Sequence, residues 1–346
     1  MPVPIPATTT LTPSEAPKKK LSHEDYTVGW ICALEKEAVP ATLMLDEEHE
    51  DLQNDSKDNN SYFLGRMGEH NVVIALLPYG SYGEISAATV ATDMLRSYRS
   101  IRFGLMVGIG AGIPSKEHQI RLGDVVVSAP DGQLGGVVQY DLGKEYADGT
   151  FTRKGHLNRP PQVLLTAISK MKVNSRRKRS MIPSLLAKFP RESVDEPDRL
   201  EYPGREHDCL FQPDYECQSD GNTCESCDKG KVNPRTNDRN QVSTDPVVHY
   251  GIIASGNRLV RRATLRDQLK KEYNACCIEM EAAGLMNTFP CLVIRGICDY
   301  ADSHKNDLWQ EYAALTATAC ARELLGYVSP DHVREERKVV DVLQDG

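Results

Sequence analysis

Four acidic side chains sit inside otherwise apolar sequence, each at the C-terminal end of an expected strand: Glu37, Glu279, Glu281 and Asp299. That end of an α/β sheet is where ligands gather. Glu37 stands in Glu35-Lys36-Glu37, just past the run Tyr26–Leu34. Taken alone it is an acid at a helix N-terminus, favoured by the helix dipole. Cys277-Ile278-Glu279-Met280-Glu281-Ala282-Ala283 places two carboxylates on either side of Met280 at a strand-to-helix junction. A strand's period of two puts both on one face, and an apolar run is a costly place for two charges. The plainer alternative is a capping acid with a salt-bridged partner. Val293–Asp302 ends a buried strand in Asp299, with a second acid three residues on. An N-cap is the structural reading. The chemical reading is a carboxyl in an apolar site, kept protonated so that it can act as an acid.

Two further patterns offer chemistry. Gly108-Ile109-Gly110-Ala111-Gly112 is expected to be a turn after a strand. It serves either tight packing or a small polar site lined by backbone N–H groups. It is not a dinucleotide fingerprint, because no acidic residue ends a strand about 20 residues later. Cys209, Cys217, Cys224 and Cys227, with His207 nearby, include one Cys-x-x-Cys. A structural zinc on these four thiols, unligated thiols and a local disulfide are all compatible with the spacing. The run Ser175–Arg179 reads as a solvated basic turn, with nuclear import as the rarer alternative.

The elements that must position these groups alternate. Strands are expected at Tyr26–Leu34, Tyr62–Met67, Asn71–Leu77, Phe103–Val107, Asp124–Ser128, Val248–Ala254, Cys276–Glu279 and Cys291–Ile297. Helices are expected from Glu35 (with Pro40 in its first turn) and over Glu84–Tyr98, Pro160–Met171, Ser184–Lys188 and Val260–Lys271. Two more start at Glu281 and span Asp307–Leu325. Strand, helix and glycine turn in this order imply an α/β domain with parallel pairs. Its expected limits are 25–328. Residues 1–24 read as a disordered Pro/Thr-rich tail, about 155–247 as a cysteine-bearing insertion, and 329–346 as a charged tail or linker.

Composition narrows the class. The 346 residues are 40% hydrophobic and 26% charged, which suits a globular core. A net charge of −8 disfavours a general nucleic-acid binder. No apolar stretch approaches the roughly 18 residues of a membrane helix, and the N-terminus has no secretory h-region. Cys32, Cys276, Cys277, Cys291, Cys298 and Cys320 lie in apolar runs, as reduced thiols do, so the cytoplasm is the expected compartment, with the nucleus not excluded.

Together the segments Ile31–Glu37, Gly108–Gly112, Leu122–Ser128, Gly251–Gly256, Ile278–Ala282 and Arg295–Asp302 resemble the nucleoside phosphorylase/nucleosidase superfamily. The likeness is greatest to the nucleosidases that cleave methylthioadenosine and S-adenosylhomocysteine. It covers about 26–128 and 248–327, and the wording Cys298–Lys305 with Trp309 looks like the version found mostly in fungi, often as the N-terminal module of larger nucleotide-binding, repeat-bearing proteins. The resemblance implies a three-layer α/β/α fold with a mixed central sheet. It implies cleavage of a purine N-glycosidic bond with no redox cofactor or catalytic metal, and self-association with neighbours closing the sites. Asp299 matches the position that protonates the departing base, Glu281 the one that grips the ribose hydroxyls, and Glu37 the one that activates water, held by Arg295. Met280 would pack under the sugar, Val260 would read the adenine edge through its backbone, and Trp309 would lie near the sugar. Glu279, Gly110 and Cys298 would complete the binding surface. Acid on one side and base on the other is the usual division in glycoside hydrolysis.

Phosphorylases of this family hold phosphate with an Arg before the glycine turn and a hydroxyl within it. Met106 and Ile109 occupy those positions here, and neither can neutralise or bind an anion through its side chain. Hydrolysis is therefore the leading expectation. A phosphate-dependent phosphorylase and a non-catalytic nucleotide sensor within a larger signalling protein are the rivals. Arg258, Arg261 and Arg262 could meet a 5′ phosphate chain or form a solvated helix face.

Overall fold

The computed structural model describes residues 17–218, 224, 226–235 and 243–344. Its strands are β1 (Val28–Cys32), β2 (Glu47–Glu48), β3 (Tyr62–Met67), β4 (His70–Leu76), β5 (Phe103–Gly112) and β6 (Val125–Ser128). They continue with β7 (Val137–Gln139), β8 (Gly143–Glu145), β9 (Phe151–Arg153), β10 (Val248–Ser255), β11 (Ala275–Glu279) and β12 (Cys291–Asp299). The helices are α1 (Glu35–Leu43), α2 (Glu84–Ser97), α3 (Gln162–Arg176), α4 (Ile182–Ala187), α5 (Ala263–Tyr273), α6 (Gln310–Leu325), α7 (Pro330–Glu335) and α8 (Val339–Gln344).

The main sheet runs β11-β10-β6-β12-β5-β1-β4-β3-β2, with β7 beside β10. Strand β1 lies parallel between β4 and β5, and β12 is parallel to β5, whereas β6 runs against β12 and β3 against β4. The sheet is thus mixed. All five residues of β1 and all nine of β12 are buried, which is why they read as continuous apolar runs rather than alternating ones. Ala111 and Gly112 of β5 also pair with Ile278 and Cys277 of β11. That pairing closes β11, β10, β6, β12 and β5 into a ring.

Helices cover both faces. Ala38 and Ala41 of α1, Leu164 and Ile168 of α3 and Leu315 and Leu324 of α6 share one apolar cluster with β1 and β5. Ala87, Val90 and Met94 of α2 pack in a second cluster on the other side. The backbone of α6 presses directly on β12. A Cβ on Gly296 would lie 1.8 Å from the Ala313 carbonyl oxygen, so only glycine fits that crossing.

Five expectations give way to the structure. The run Gly108–Gly112 is the end of β5, not a turn, and none of its glycines has a positive φ. Glycine is there for closeness: a Cβ on Gly108 would meet Glu37 Oε1 at 2.3 Å and Arg295 Nη1 at 2.6 Å. Pro40 lies in the second turn of α1, where the lost N–H removes one bond near the helix start. After Glu281 there is only a short 3-10 turn, Ala282–Gly284. Helices α3 and α4 bury Met171, Ile182 and Leu186 in the main core, so they belong to the domain, and the irregular part of the insertion begins near residue 190. The terminal segments are not loose where they are described. Lys19 pairs with His49, and Val333 and Val339 are buried, with the Val339 N–H donating to the Ile101 carbonyl at 2.9 Å. Residues 1–16 of the expected tail lie outside the described residues. Ser175–Arg179 is exposed at the end of α3, as a solvated basic turn should be.

Candidate active site

Glu37 is fixed before any ligand arrives. It sits in the first turn of α1 and is only 3% exposed. Its Oε2 accepts the N–H groups of Ala33 at 2.7 Å and Leu34 at 3.0 Å, and its Oε1 accepts the Ile109 N–H at 2.8 Å. Burial raises its pKa above the ordinary glutamate value, while Arg295 and these three N–H groups pull the other way.

Arg295, in the middle of β12, is completely buried. Its Nη2 donates to Glu279 Oε2 and lies 3.3 Å from Glu281 Oε2. Its Nε and Nη1 have no hydrogen-bond partner, although a buried guanidinium normally uses all its donors. Glu279, Glu281 and Glu37 hold its pKa high against the effect of burial. Glu279 is the last residue of β11. Its carboxylate caps the following turn, accepting the Glu281 N–H at 3.1 Å and the Ala282 N–H at 3.0 Å. Both glutamates meet Arg295, although β11 ends at Glu279 and Glu281 already belongs to the turn, so strand periodicity is not what brings it there. The capping reading holds for Glu279.

Glu281 accepts the Gly83 N–H at 3.3 Å. Burial raises its pKa from the ordinary 4.5 to about 7; Glu279 and Glu37 add to the rise and Arg295 opposes it. An acid whose folded pKa is raised contributes stability that is complete below its unfolded value and is lost as pH climbs through the folded one. Stability should therefore fall between about pH 4.5 and 7, and Glu281→Gln should flatten that part of the curve. Melting temperatures of the two proteins across that window check this. An identical slope in the variant would assign the titration elsewhere.

A cavity of about 350 Å³ opens beside these groups. Its walls include Glu37, Gly110, Val260, Glu279, Met280, Glu281 and Cys298. The structure thus brings together most of the residues singled out from sequence. Arg295 and Asp299 do not line the cavity, Asp299 facing instead a smaller pocket with Cys298, Tyr300 and His304, and neither does Trp309. Trp309 is fully buried and packs edge-on against Tyr202 and Tyr312. Its neighbours Asp307 and Gln310 face the cavity instead.

Asp299 ends β12 on the same side. Its Oδ1 accepts the Ala301 N–H at 2.8 Å, and the Cys298 thiol lies 3.3 Å from Oδ2. Sequence suggests purely apolar surroundings, and here the structure differs: Lys305 Nζ is 2.7 Å from Asp299 Oδ2. Asp299 raises the Lys305 pKa despite burial. Lys305 lines the cavity and stands in front of the carboxylate. Nothing in the polar stretch Asp302–Asp307 marks this contact, because it depends on how an irregular loop folds back. The backbone donors on Glu37 and the Gly83 donor on Glu281 are equally silent in sequence.

Chemically the cavity has a negative wall. Three buried glutamates share one guanidinium, so positive charge developing next to them is stabilised. Arg258 and Arg261, both exposed, supply cationic side chains at another part of the lining. No helix among the described residues is long and apolar enough to cross a membrane.

No protein-family model matches the chain. It is 46% identical over 325 residues to a nucleotide-binding leucine-rich repeat (NLR)-like protein of Hyaloscypha variabilis, covering 93% of this chain and 31% of that protein. It is 24% identical over 253 residues to the ATP nucleosidase Cap17 of Escherichia coli, covering 71% of this chain and 40% of Cap17. The chain therefore spans well under half the length of either relative. Among solved structures, futalosine hydrolase of Helicobacter pylori superposes with a TM-score of 0.55 at 16% identity, covering 88% of this chain and 99% of that one. The 5′-methylthioadenosine/S-adenosylhomocysteine nucleosidase of Neisseria meningitidis, in complex with methylthio-immucillin-A, gives 0.54 at 17% identity, covering 86% and 98%. The ring of strands, its helical layers and these likenesses agree: the chain has the fold of the nucleoside phosphorylase/nucleosidase superfamily.

Proposed function

We propose that this chain hydrolyses the N-glycosidic bond of a purine nucleotide, with adenine as the base. The observation that carries the reading is that Glu37 and Glu281 line one cavity under the charge of Arg295, with Asp299 ion-paired to Lys305, which lines the same cavity. As the bond breaks, positive charge grows on the ribose and negative charge on the base. Glu281 grips the ribose hydroxyls. Glu37, held by three N–H groups, takes a proton from the attacking water. The entering base displaces the Lys305 ammonium; Asp299, released from that ion pair, takes a proton from solvent and passes it to the departing base. Met280 lies against the sugar, and the backbone around Val260 meets the base.

Water rather than phosphate is the favoured nucleophile. Met106 is fully buried, and the Ile109 N–H is already committed to Glu37. Neither position is left to hold a phosphate dianion. A 5′ phosphate chain, in contrast, can meet Arg258 and Arg261 in the cavity lining. The likeness to an ATP nucleosidase supports a nucleoside triphosphate over a simple nucleoside. Tyr79, Tyr82 and Ile85 are exposed, and Tyr82 lines the cavity, so a second copy packed there would close it.

The test is to incubate the chain with ATP, adenosine and methylthioadenosine, with and without inorganic phosphate, and to follow free adenine by chromatography. Adenine from ATP without phosphate is the expected result. Release that needs phosphate would replace hydrolysis by phosphorolysis. Measurable binding with no release from any purine would leave a sensor.

A further inference from the structure

A second cluster of reactive side chains lies behind the loop that carries Asp299. The sulfur of Cys217 is 3.8 Å from that of Cys224 and 3.6 Å from that of Cys227. A disulfide requires about 2.05 Å, so these are not bonded pairs. Tetrahedral ligands at a zinc–sulfur distance of about 2.3 Å stand about 3.8 Å apart. The sulfurs are therefore already spaced as the ligands of one ion.

The fourth ligand comes from outside the insertion. The ligating atoms of Cys217, Cys227 and His304 all lie within 4.8 Å of one another. His304 is 6% exposed, and neither of its ring nitrogens has a hydrogen-bond partner. An unsatisfied buried polar atom is costly, so an imidazole left this way points to a missing ligand. The ring is held in place, stacked on Phe211 with centroids 3.8 Å apart and flanked by Tyr215. Asp302 Oδ1 is 3.6 Å from Nδ1, beyond hydrogen-bond reach.

Cys209 does not join them. Its sulfur meets the Glu206 carbonyl at 3.3 Å and the Lys229 ammonium at 3.5 Å. This replaces the four-cysteine set expected from sequence. Soft thiolates with one imidazole in a tetrahedral arrangement select zinc over harder cations.

We propose that Cys217, Cys224, Cys227 and His304 bind one zinc ion that ties the insertion to the Asp299 loop. On loading, the three thiols lose their protons to solvent as three zinc–thiolate bonds form, and the neutral imidazole supplies the fourth bond. The Cys224 thiol gives up its present contact with the His304 carbonyl, 3.3 Å away. The Cys217 N–H already donates to Ser303 Oγ at 2.9 Å, so the insertion touches this loop without the ion. The ion would make that contact rigid one residue from Lys305 and five from Asp299.

The experiment measures zinc in the purified 346-residue chain by elemental analysis, and by colorimetric release after thiol blocking. One equivalent per chain is expected. Cobalt(II) added to the stripped chain should give the absorption bands of tetrahedral thiolate coordination. Cys227→Ser should lose the ion, and His304→Ala should weaken binding at least tenfold. Cys209→Ser should keep a full equivalent. The wild-type measurements stand even if a variant fails to fold. A chain with no zinc after expression in zinc-supplemented cells, or an intact mass two hydrogens short from a disulfide among these cysteines, would overturn the site. Zinc lost in Cys209→Ser and kept in His304→Ala would overturn the ligand set.

Discussion

Asp299→Asn should leave the chain folded and cut release of the base by about 10²- to 10⁴-fold, the usual contribution of a positioned acid. The substitution is close to isosteric. The Asn oxygen can still accept the Ala301 N–H that now bonds Oδ1 at 2.8 Å, so the loop keeps its anchor. The side-chain amide cannot give a proton to a leaving nitrogen. It also removes the negative partner of Lys305, whose Nζ sits 2.7 Å from the carboxylate. The variant thus loses the acid and sets the amide NH2 against the Lys305 ammonium, two donors facing each other. Two readouts separate these effects. Circular dichroism melts report the fold. A riboside whose leaving group departs as a stable anion needs no proton, so its cleavage should change little. Near-normal adenine release by the variant would remove Asp299 from the reaction. An equal loss on both substrates would make its role structural.

Much of this site was legible before the fold was known, and the reasons are local. β1 and β12 are buried on both faces, so their sequences are unbroken apolar runs, and an acid at the end of such a run stands out. Glu279 and Glu281 stand out as two acids in an apolar run, and both meet Arg295, though the turn after β11 rather than strand periodicity brings Glu281 there. What sequence misplaced depends on contacts between distant segments. Glycines at 108, 110 and 112 look like a turn because glycine usually marks one. They are glycines within a strand because Glu37 and Arg295 crowd Gly108, Cys277 crowds Gly110, and Ile297 and Ile120 crowd Gly112. Val333 and Val339 look like two apolar residues in a charged tail, and only the folded domain supplies the surface that buries them. The resemblance puts Trp309 near the sugar, yet Tyr202, from the irregular segment, packs edge-on against it. Lys305 and His304 belong to one loop of six polar residues in which no period points either side chain. Their partners, Asp299 and the cysteine cluster, fix them only in three dimensions.

Arg295→Met should be the most destabilising single change in the site. The guanidinium is wholly buried and is the cation shared by Glu37, Glu279 and Glu281. Met fills a similar volume, so packing is nearly conserved while the charge disappears. Removing one partner from a buried ionic cluster costs about 3–5 kcal/mol, because the other charges stay buried and uncompensated. The sign with pH follows from the carboxyls that remain. Burial already raises the pKa of Glu37 and Glu281, and Arg295 is what holds each down. Without it both rise further, so the variant binds more protons when folded than when unfolded over a wider range. Its stability is then regained as pH falls and lost as pH rises, more steeply than in the wild type. Urea unfolding at neutral pH and near pH 5 measures this directly. The deficit should be large at the higher value and smaller at the lower. Arg295→Lys, which keeps the charge but not the fork, should recover part of the neutral-pH loss. A variant within about 1 kcal/mol of wild type at neutral pH, less than a typical buried pair is worth, would mean that the three glutamates are not charged together. The negative wall proposed to meet the ribosyl cation would then have no basis.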